Sequence, residues 1–139
     1  MNKDISLLPM LFAALHKKMM EQHQKILAAN NLSKTHLPYL MILNDNQDGL
    51  MQNEMSEMLF LDKAHTSRSL KELQENGYIV KGDVNTYKNK FRLTDKGIDI
   101  AKTFKNQNAL IRQKVFETLN KEEIDQLSNI ISKLYKAIE

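Results

Sequence analysis

The sequence predicts a mainly α fold with one small β-hairpin. Its 139 residues can fill one hydrophobic core, and 42% hydrophobic with 27% charged residues is typical of a globular domain. Only four Gly and two Pro are present, so the chain lacks the many turns that a β-sandwich or barrel needs. Apolar residues recur at helical spacing along most of the chain, and β-rich runs occur only at residues 78–80 and 91–93.

Two N-terminal helices are predicted, over residues 5–28 and 34–46. We expect Ser6 and Thr35 to be their N-caps, because each choice leaves the following proline in the first helical turn, where a missing N–H costs little. The Asn-Asn pair after residue 29 should end the first helix. Its apolar stripe consists of Leu8, Leu11, Phe12, Leu15 and Met19.

Two short helices and the hairpin follow. The helices are predicted over residues 52–60 and 63–76, with Asp62 as N-cap of the second and Gly77 in the left-handed position that ends it. The two β-rich runs then predict a hairpin with a long polar tip. A short helix, a tight turn, a second short helix and a hairpin, in this order, form a winged helix-turn-helix, which we assign to residues 34–97.

The C-terminal part of the chain is predicted to form two long helices. Thr94 should cap the first, over residues 95–118, and the capping-box pattern from Asn120 to Glu123 should open the last. A small winged domain cannot cover the apolar stripes of both terminal segments. We therefore expect residues 1–30 and 98–139 to form dimerisation helices; the alternative is a monomer in which these helices pack on each other.

The second helix of the motif has the pattern of a DNA-recognition helix. Thr66, Leu70 and Leu73 share its buried side, so the opposite face is free to enter a major groove. Arg68 can bind guanine through two hydrogen bonds, whereas the lysines are better placed for phosphates. An ordinary solvated helix face is the alternative. The expected DNA contacts of this helix are Lys63, Ala64, His65, Ser67, Arg68 and Lys71.

The hairpin adds a second candidate DNA contact. Its tip combines cations with small hydrogen-bonding side chains, which suits a phosphate backbone or a minor groove. Lysines at a hairpin tip also keep edge strands soluble, so the tip alone is not specific. The expected contacts of this wing are Asn85, Thr86, Tyr87, Lys88, Lys90 and Arg92.

The chain resembles the MarR (multiple antibiotic resistance regulator) family. The similarity is carried by LMQNEMSEMLFLDKAHTSRSLKELQENGYIV from Leu50 to Val80, by LTDKG from Leu93 to Gly97, and by LNKEEIDQLSNII from Leu119 to Ile131. The resemblance implies a homodimer that binds a pseudo-palindromic DNA operator, usually as a repressor and often released by a small ligand.

Three positions depart from the family pattern. The family usually opens the first helix of the motif with Ser or Thr, where this chain has Met51, and has a small residue in the turn, where this chain has Phe60. Its wing commonly contains Asp-x-Arg, where this chain has Asn85-Thr86-Tyr87. A cation from Lys88, Lys90 or Arg92 must then replace the arginine, or the minor-groove contact is weaker.

An effector site is a further hypothesis. Methionines and histidines near the N-terminus could line an adaptable pocket, although methionine as ordinary core filler is the simpler interpretation. The candidate residues are His16, Met19, Met20, His23 and Tyr39. We expect no metal site, because His16 and His23 stand about two helical turns apart, and no cofactor.

Two other function classes have less support in the sequence. The chain has no Cys, Gly-rich phosphate loop or nucleophile beside a base, so an enzyme is not expected. A winged-helix protein-interaction module without specific DNA binding is the alternative, because the net charge of +3 does not by itself demand a nucleic acid.

The apolar run at residues 5–15 is too short to span a bilayer, so we expect a cytoplasmic protein.

Overall fold

The computed structural model describes residues 5–82 and 89–139. The predicted fold class is confirmed, since these residues form helices and one antiparallel hairpin. The elements are α1 (Leu7–Ala29), α2 (Leu37–Asp45), α3 (Gln52–Met58), α4 (Lys63–Glu75), β1 (Ile79–Lys81), β2 (Phe91–Leu93), α5 (Asp95–Phe116) and α6 (Lys121–Ile138). They form two compact units, Met1–Gln107 and Asn108–Glu139, and α5 begins in the first unit and ends in the second.

The predicted N-cap is confirmed in position at Ser6 and is wrong at Thr35. Ser6 occupies the N-cap position of α1, but its backbone is already helical and its side chain makes no capping hydrogen bond. The N-cap of α2 is His36 rather than Thr35. The Thr35 hydroxyl instead lies 2.6 Å from that of Ser33. Pro38 still falls in the first turn, because a proline is tolerated at more than one early helical position.

Three other predicted caps are confirmed. The Asp62 carboxylate accepts a hydrogen bond from the backbone N–H of His65 at 2.7 Å, and this fixes the start of α4. The Asn120 and Glu123 side chains each accept from the other's backbone N–H, at 2.9 and 3.0 Å, which completes the capping box of α6. Gly77 ends α4 in the left-handed region, with φ of +80°.

The core of the first unit lies between the helices that carry the helix-turn-helix. Its largest side chains are 1% exposed or less, and fully burying each apolar one contributes about 1.5–3 kcal/mol. This packing fixes α4 against α2 and α3, so the exposed face of α4 is held in a defined direction. The side chains are Tyr39, Leu40, Leu43, Met55, Leu70, Leu73 and Phe104.

Strand β2 has backbone partners on both of its sides. In the antiparallel pair, Val80 stands opposite Arg92 and Lys81 opposite Phe91. On the other side of β2, Leu50 and Phe91 exchange two backbone hydrogen bonds, at 2.7 and 3.0 Å. The base of the predicted wing is therefore tied to the segment that leads into α3.

Gly97 explains the LTDKG segment in physical terms. A Cβ atom at this position would lie 2.1 Å from the Tyr78 carbonyl oxygen, so only glycine lets α5 begin against β1. The Thr94 hydroxyl donates to the Gly77 carbonyl at 2.6 Å and accepts from the Gly97 N–H at 3.2 Å, as expected of the helix cap. The Tyr78 hydroxyl donates to the Asn30 carbonyl at 2.6 Å, and burial raises the pKa of Tyr78.

The second unit has little interior of its own. α6 has no buried residue, although its apolar side chains fall on one face. Within the described part of the chain, no helix is both long and apolar enough to cross a bilayer. The exposed apolar side chains of α6 are Ile124, Ile130, Ile131, Leu134, Tyr135 and Ile138.

Candidate nucleic-acid interface

The solvent-facing side of α4 carries the residues predicted for DNA recognition. Thr66, Leu70 and Leu73 are buried, as predicted, and Ser69 joins them. His65 is half-buried. The remaining predicted residues of the helix are all exposed: Lys63, Ala64, Ser67, Arg68 and Lys71. A stripe of donors therefore lies opposite the stripe that packs on the core.

Arg68 is available for a ligand. Its neighbour one helical turn later, Glu72, is bound by His36, with 2.6 Å between Nε2 and Oε2. Among residues 5–82 and 89–139, no salt bridge or hydrogen bond of the Arg68 side chain is found. Pairing between Arg68 and Glu72, the main competing use of this guanidinium, is thus absent from the described structure.

His36 links the loop before α2 to the recognition helix. Its Nδ1 accepts from the backbone N–H of Ser33 at 3.0 Å, so the proton of the neutral ring lies on Nε2. Nε2 then donates to the Glu72 carboxylate at 2.6 Å. His36 is almost fully buried, so this contact fixes the last turn of α4 relative to the start of α2.

Tyr39 contacts the His65 ring from the core side of α4. The Tyr39 hydroxyl lies 2.7 Å from His65 Nδ1 and 3.0 Å from the Thr66 hydroxyl oxygen. The two rings stack with centroids 5.9 Å apart and planes inclined by 30°. The sequence offered no signal for this contact, since the tyrosine and the histidine stand on different helices 26 residues apart.

The structure describes the base of the wing, residues 79–82 and 89–93. The predicted contacts Asn85, Thr86, Tyr87 and Lys88 lie outside the described residues. Lys90 and Arg92 are both half-buried. Arg92 stands opposite Val80 in the hairpin and also contacts another group of the protein. Of these two cations, Lys90 is therefore the better placed for a phosphate.

The two helix-turn-helix departures have structural consequences. The Glu54 carboxylate accepts a hydrogen bond from the backbone N–H of Met51 at 2.9 Å, which is one half of a capping box. A Ser or Thr at position 51 would add the other half through its hydroxyl. Phe60 has φ of +55° and its side chain is 59% exposed. An aromatic residue therefore occupies a left-handed turn conformation that glycine and asparagine adopt more easily.

The predicted effector residues do not all line the cavity that described residues form beside α1. A cavity of about 620 Å³ lies beside α1, and only His16 and Met20 of the predicted set line it. Met19 does not line it, and His23 is buried, with its ring 5.0 Å from the Phe104 ring. Tyr39 contacts α4 instead, through His65 and Thr66. The cavity is lined by His16, Lys17, Met20, Gln24, Leu27, Ala28, Leu32, Ser33 and Lys34.

Comparison with known proteins identifies the family. A family model described as MarR family matches residues 30–86. The HTH-type transcriptional regulator BilQ of Clostridioides difficile (strain CD3) is 30% identical over 109 residues, which cover 73% of this chain and 71% of BilQ. The chain belongs to the MarR family. Members of this family are transcriptional regulators, and the matched residues of this MarR-family protein include the whole helix-turn-helix.

Solved structures share the fold over nearly the full chain. A MarR family transcriptional regulator from Listeria monocytogenes, complexed with a 26mer DNA, has a TM-score of 0.81 at 25% identity, covering 99% of this chain and 90% of that one. The S. aureus MepR–DNA complex has a TM-score of 0.78 at 20% identity, covering 99% and 97%. The transcriptional regulator SlyA has a TM-score of 0.78 at 23% identity, covering 98% and 94%.

Proposed function

We propose that this MarR-family protein is a homodimeric regulator that binds a pseudo-palindromic DNA operator through α4 and the wing. The observation that carries the proposal is the stripe of exposed hydrogen-bond donors on α4. Arg68 lies at the centre of this stripe, and its guanidinium has no partner among the described residues. The DNA-bound Listeria and S. aureus proteins support it, because they share this fold. A helix of this size fits the major groove of B-DNA.

Different side chains of the interface suit different parts of DNA. Arg68, Ser67 and His65 lie in the N-terminal half of α4 and are suited to base edges, where a guanidinium can pair with guanine O6 and N7. Lys63 and Lys71 flank them and are suited to phosphates, as is Lys90 at the base of the wing. Base contacts would give sequence preference, and phosphate contacts would give salt-dependent affinity.

The exposed apolar faces support a homodimer. Near the start of α1, Leu8, Leu11 and Phe12 share one face and are 38–58% exposed, and α6 exposes an apolar face of its own. Such contiguous apolar surfaces are typical of obligate interfaces. A two-fold dimer would present α4 twice, to half-sites about one helical turn of DNA apart.

We further propose that the protein is a repressor that a small ligand releases from DNA. The cavity beside α1 is of ligand-binding size and combines an apolar wall with Lys17, Lys34 and His16. Ser33 also lines it, and the Ser33 N–H donates to His36, which contacts Glu72 in α4. A ligand that displaces the loop around Ser33 would thereby shift the recognition helix and weaken DNA binding.

Selection of bound duplexes from random DNA tests the proposal. We expect enrichment of a pseudo-palindrome with half-sites about 10 base pairs apart, and retention on heparin that salt reverses. Repeating the selection with small amphipathic ligands tests the regulatory part, which predicts lower affinity for the enriched site. A protein that enriches no sequence and passes through heparin would favour a protein-interaction module instead.

A further inference from the structure

We propose that Tyr39 is a positioning residue that fixes the orientation and tautomer of His65, so that α4 presents an Nε2–H donor to a DNA base edge. The inference rests on the proposed function, because it assumes that α4 contacts bases. The proposed function does not say how His65 binds a base, whereas here His65 has a defined role as a hydrogen-bond donor. Tyr39, a residue of another helix, is what gives it that role.

The geometry leaves the His65 ring little freedom. Tyr39 is 0% exposed, so its own position is set by the core. Its hydroxyl holds Nδ1 at 2.7 Å, and its ring stacks on the imidazole. In the described parts of the chain, Nε2 of His65 has no hydrogen-bond partner. One ring nitrogen is therefore anchored inside the protein, and the other remains available at the surface of α4.

The hydrogen-bond order determines which nitrogen carries the proton. A hydroxyl donates one hydrogen, so the Tyr39 hydroxyl can donate either to His65 Nδ1 or to the Thr66 oxygen. A phenol is a stronger donor than an aliphatic alcohol, and a neutral imidazole nitrogen is a stronger acceptor than a hydroxyl. The shorter contact, at 2.7 Å, is also the one to Nδ1. Thr66 then donates to Tyr39, Tyr39 donates to Nδ1, and Nε2 carries the ring proton.

An Nε2–H donor restricts the base it can bind. In the major groove, guanine, adenine and thymine each present an acceptor, whereas cytosine presents only its N4 amino donor. We therefore expect the base facing His65 to be any of the first three, with cytosine disfavoured. If the ring were free to change its tautomer, Nε2 could also accept from the cytosine amino group, and this exclusion would be lost.

Tyr39→Phe tests the role in DNA recognition, because it removes the hydroxyl and keeps the aromatic ring in the core. Competition binding with all four base pairs at each operator position should show cytosine disfavoured by about 2- to 12-fold at one symmetric position in the wild type, the range of one hydrogen bond. Tyr39→Phe should largely abolish this preference. Tyr78→Phe is the matched control, because its buried hydroxyl donates to the Asn30 carbonyl and not to α4.

The 15N chemical shifts of the His65 ring in the free protein test the tautomer without DNA. At a pH where the ring is neutral, we expect a protonated Nε2 and a bare Nδ1 in the wild type and in Tyr78→Phe, and mixed tautomers in Tyr39→Phe. A protonated Nδ1 in the wild type would overturn the inference. So would specific binding with a base preference that Tyr39→Phe leaves unchanged. Absence of specific DNA binding by the wild type would instead contradict the proposed function.

Discussion

Arg68 is the side chain on which we expect base recognition to depend most. It is exposed on α4, and Glu72, the acidic neighbour within its reach on the same helix, is held by His36. Arg68→Ala should cost about 1–3 kcal/mol of binding free energy per half-site and relax preference at one symmetric base pair. Competition binding against all four base pairs at every operator position measures both effects.

Lys71→Ala is the matched control for Arg68. It removes another exposed cation from the same helix, one suited to a phosphate. We expect this variant to lose affinity about equally for specific and random DNA, and to lower the slope of log affinity against log salt by about one unit. If Arg68→Ala behaves in the same way, with no position relaxed, Arg68 is itself a phosphate contact.

Phe60 has a backbone conformation that an aromatic side chain does not favour, with φ of +55°. We expect Phe60→Gly to be more stable than Phe60→Ala by about 1 kcal/mol, because both remove the ring and only glycine adopts this conformation without a Cβ clash. Urea unfolding of the two variants measures the difference. At Asn31, which has φ of +56°, Asn31→Gly should exceed Asn31→Ala in stability by a similar amount, because the Cβ penalty depends on the backbone conformation. Equal stability of the two Phe60 variants would show that the turn relaxes.

Among the elements, the junction of β1 and α5 depends on a single glycine. Gly97→Ala would place a Cβ atom 2.1 Å from the Tyr78 carbonyl oxygen, so the helix must move away from the strand. We expect a loss of about 1–3 kcal/mol of unfolding free energy, as for other overpacked sites. Thermal or urea unfolding measures it. Gly77→Asn is the control, since no atom lies within 4 Å of a Cβ there and asparagine tolerates its φ of +80°. An unchanged stability in Gly97→Ala would contradict the close packing.

The elements also show what local sequence can predict. Asp62, Gly77 and the Asn120–Glu123 capping box were predictable, because each depends on residues within one turn of the chain. The cap of α2 was not, since Thr35 and its neighbour His36 both leave Pro38 in the first turn and tertiary packing selects between them. The exposed face of α4 followed from its apolar period. Its supports Tyr39 and His36 could not be found, because they stand 26 and 36 residues away from their partners.

At the scale of the whole molecule, association should depend on the apolar face of α6. Leu134 is 49% exposed and lies on the same face as Leu127. Changing both to Asp should dissociate or unfold the protein, because it places charges in an apolar interface. Asn129→Asp, which adds a charge on the opposite side of the same helix, should leave association unchanged. Sedimentation at micromolar concentration measures the outcome, and a folded wild-type monomer would contradict the dimer.

Recognition of a particular DNA sequence by α4 is tested by competition between the duplex enriched by selection and a scrambled duplex of the same length and composition, at physiological salt. We expect the enriched duplex to bind at least about 1,000-fold more tightly, the lower end of the range for specific DNA-binding proteins. Equal affinities for the two duplexes would mean that only phosphates are bound, and would contradict the claim.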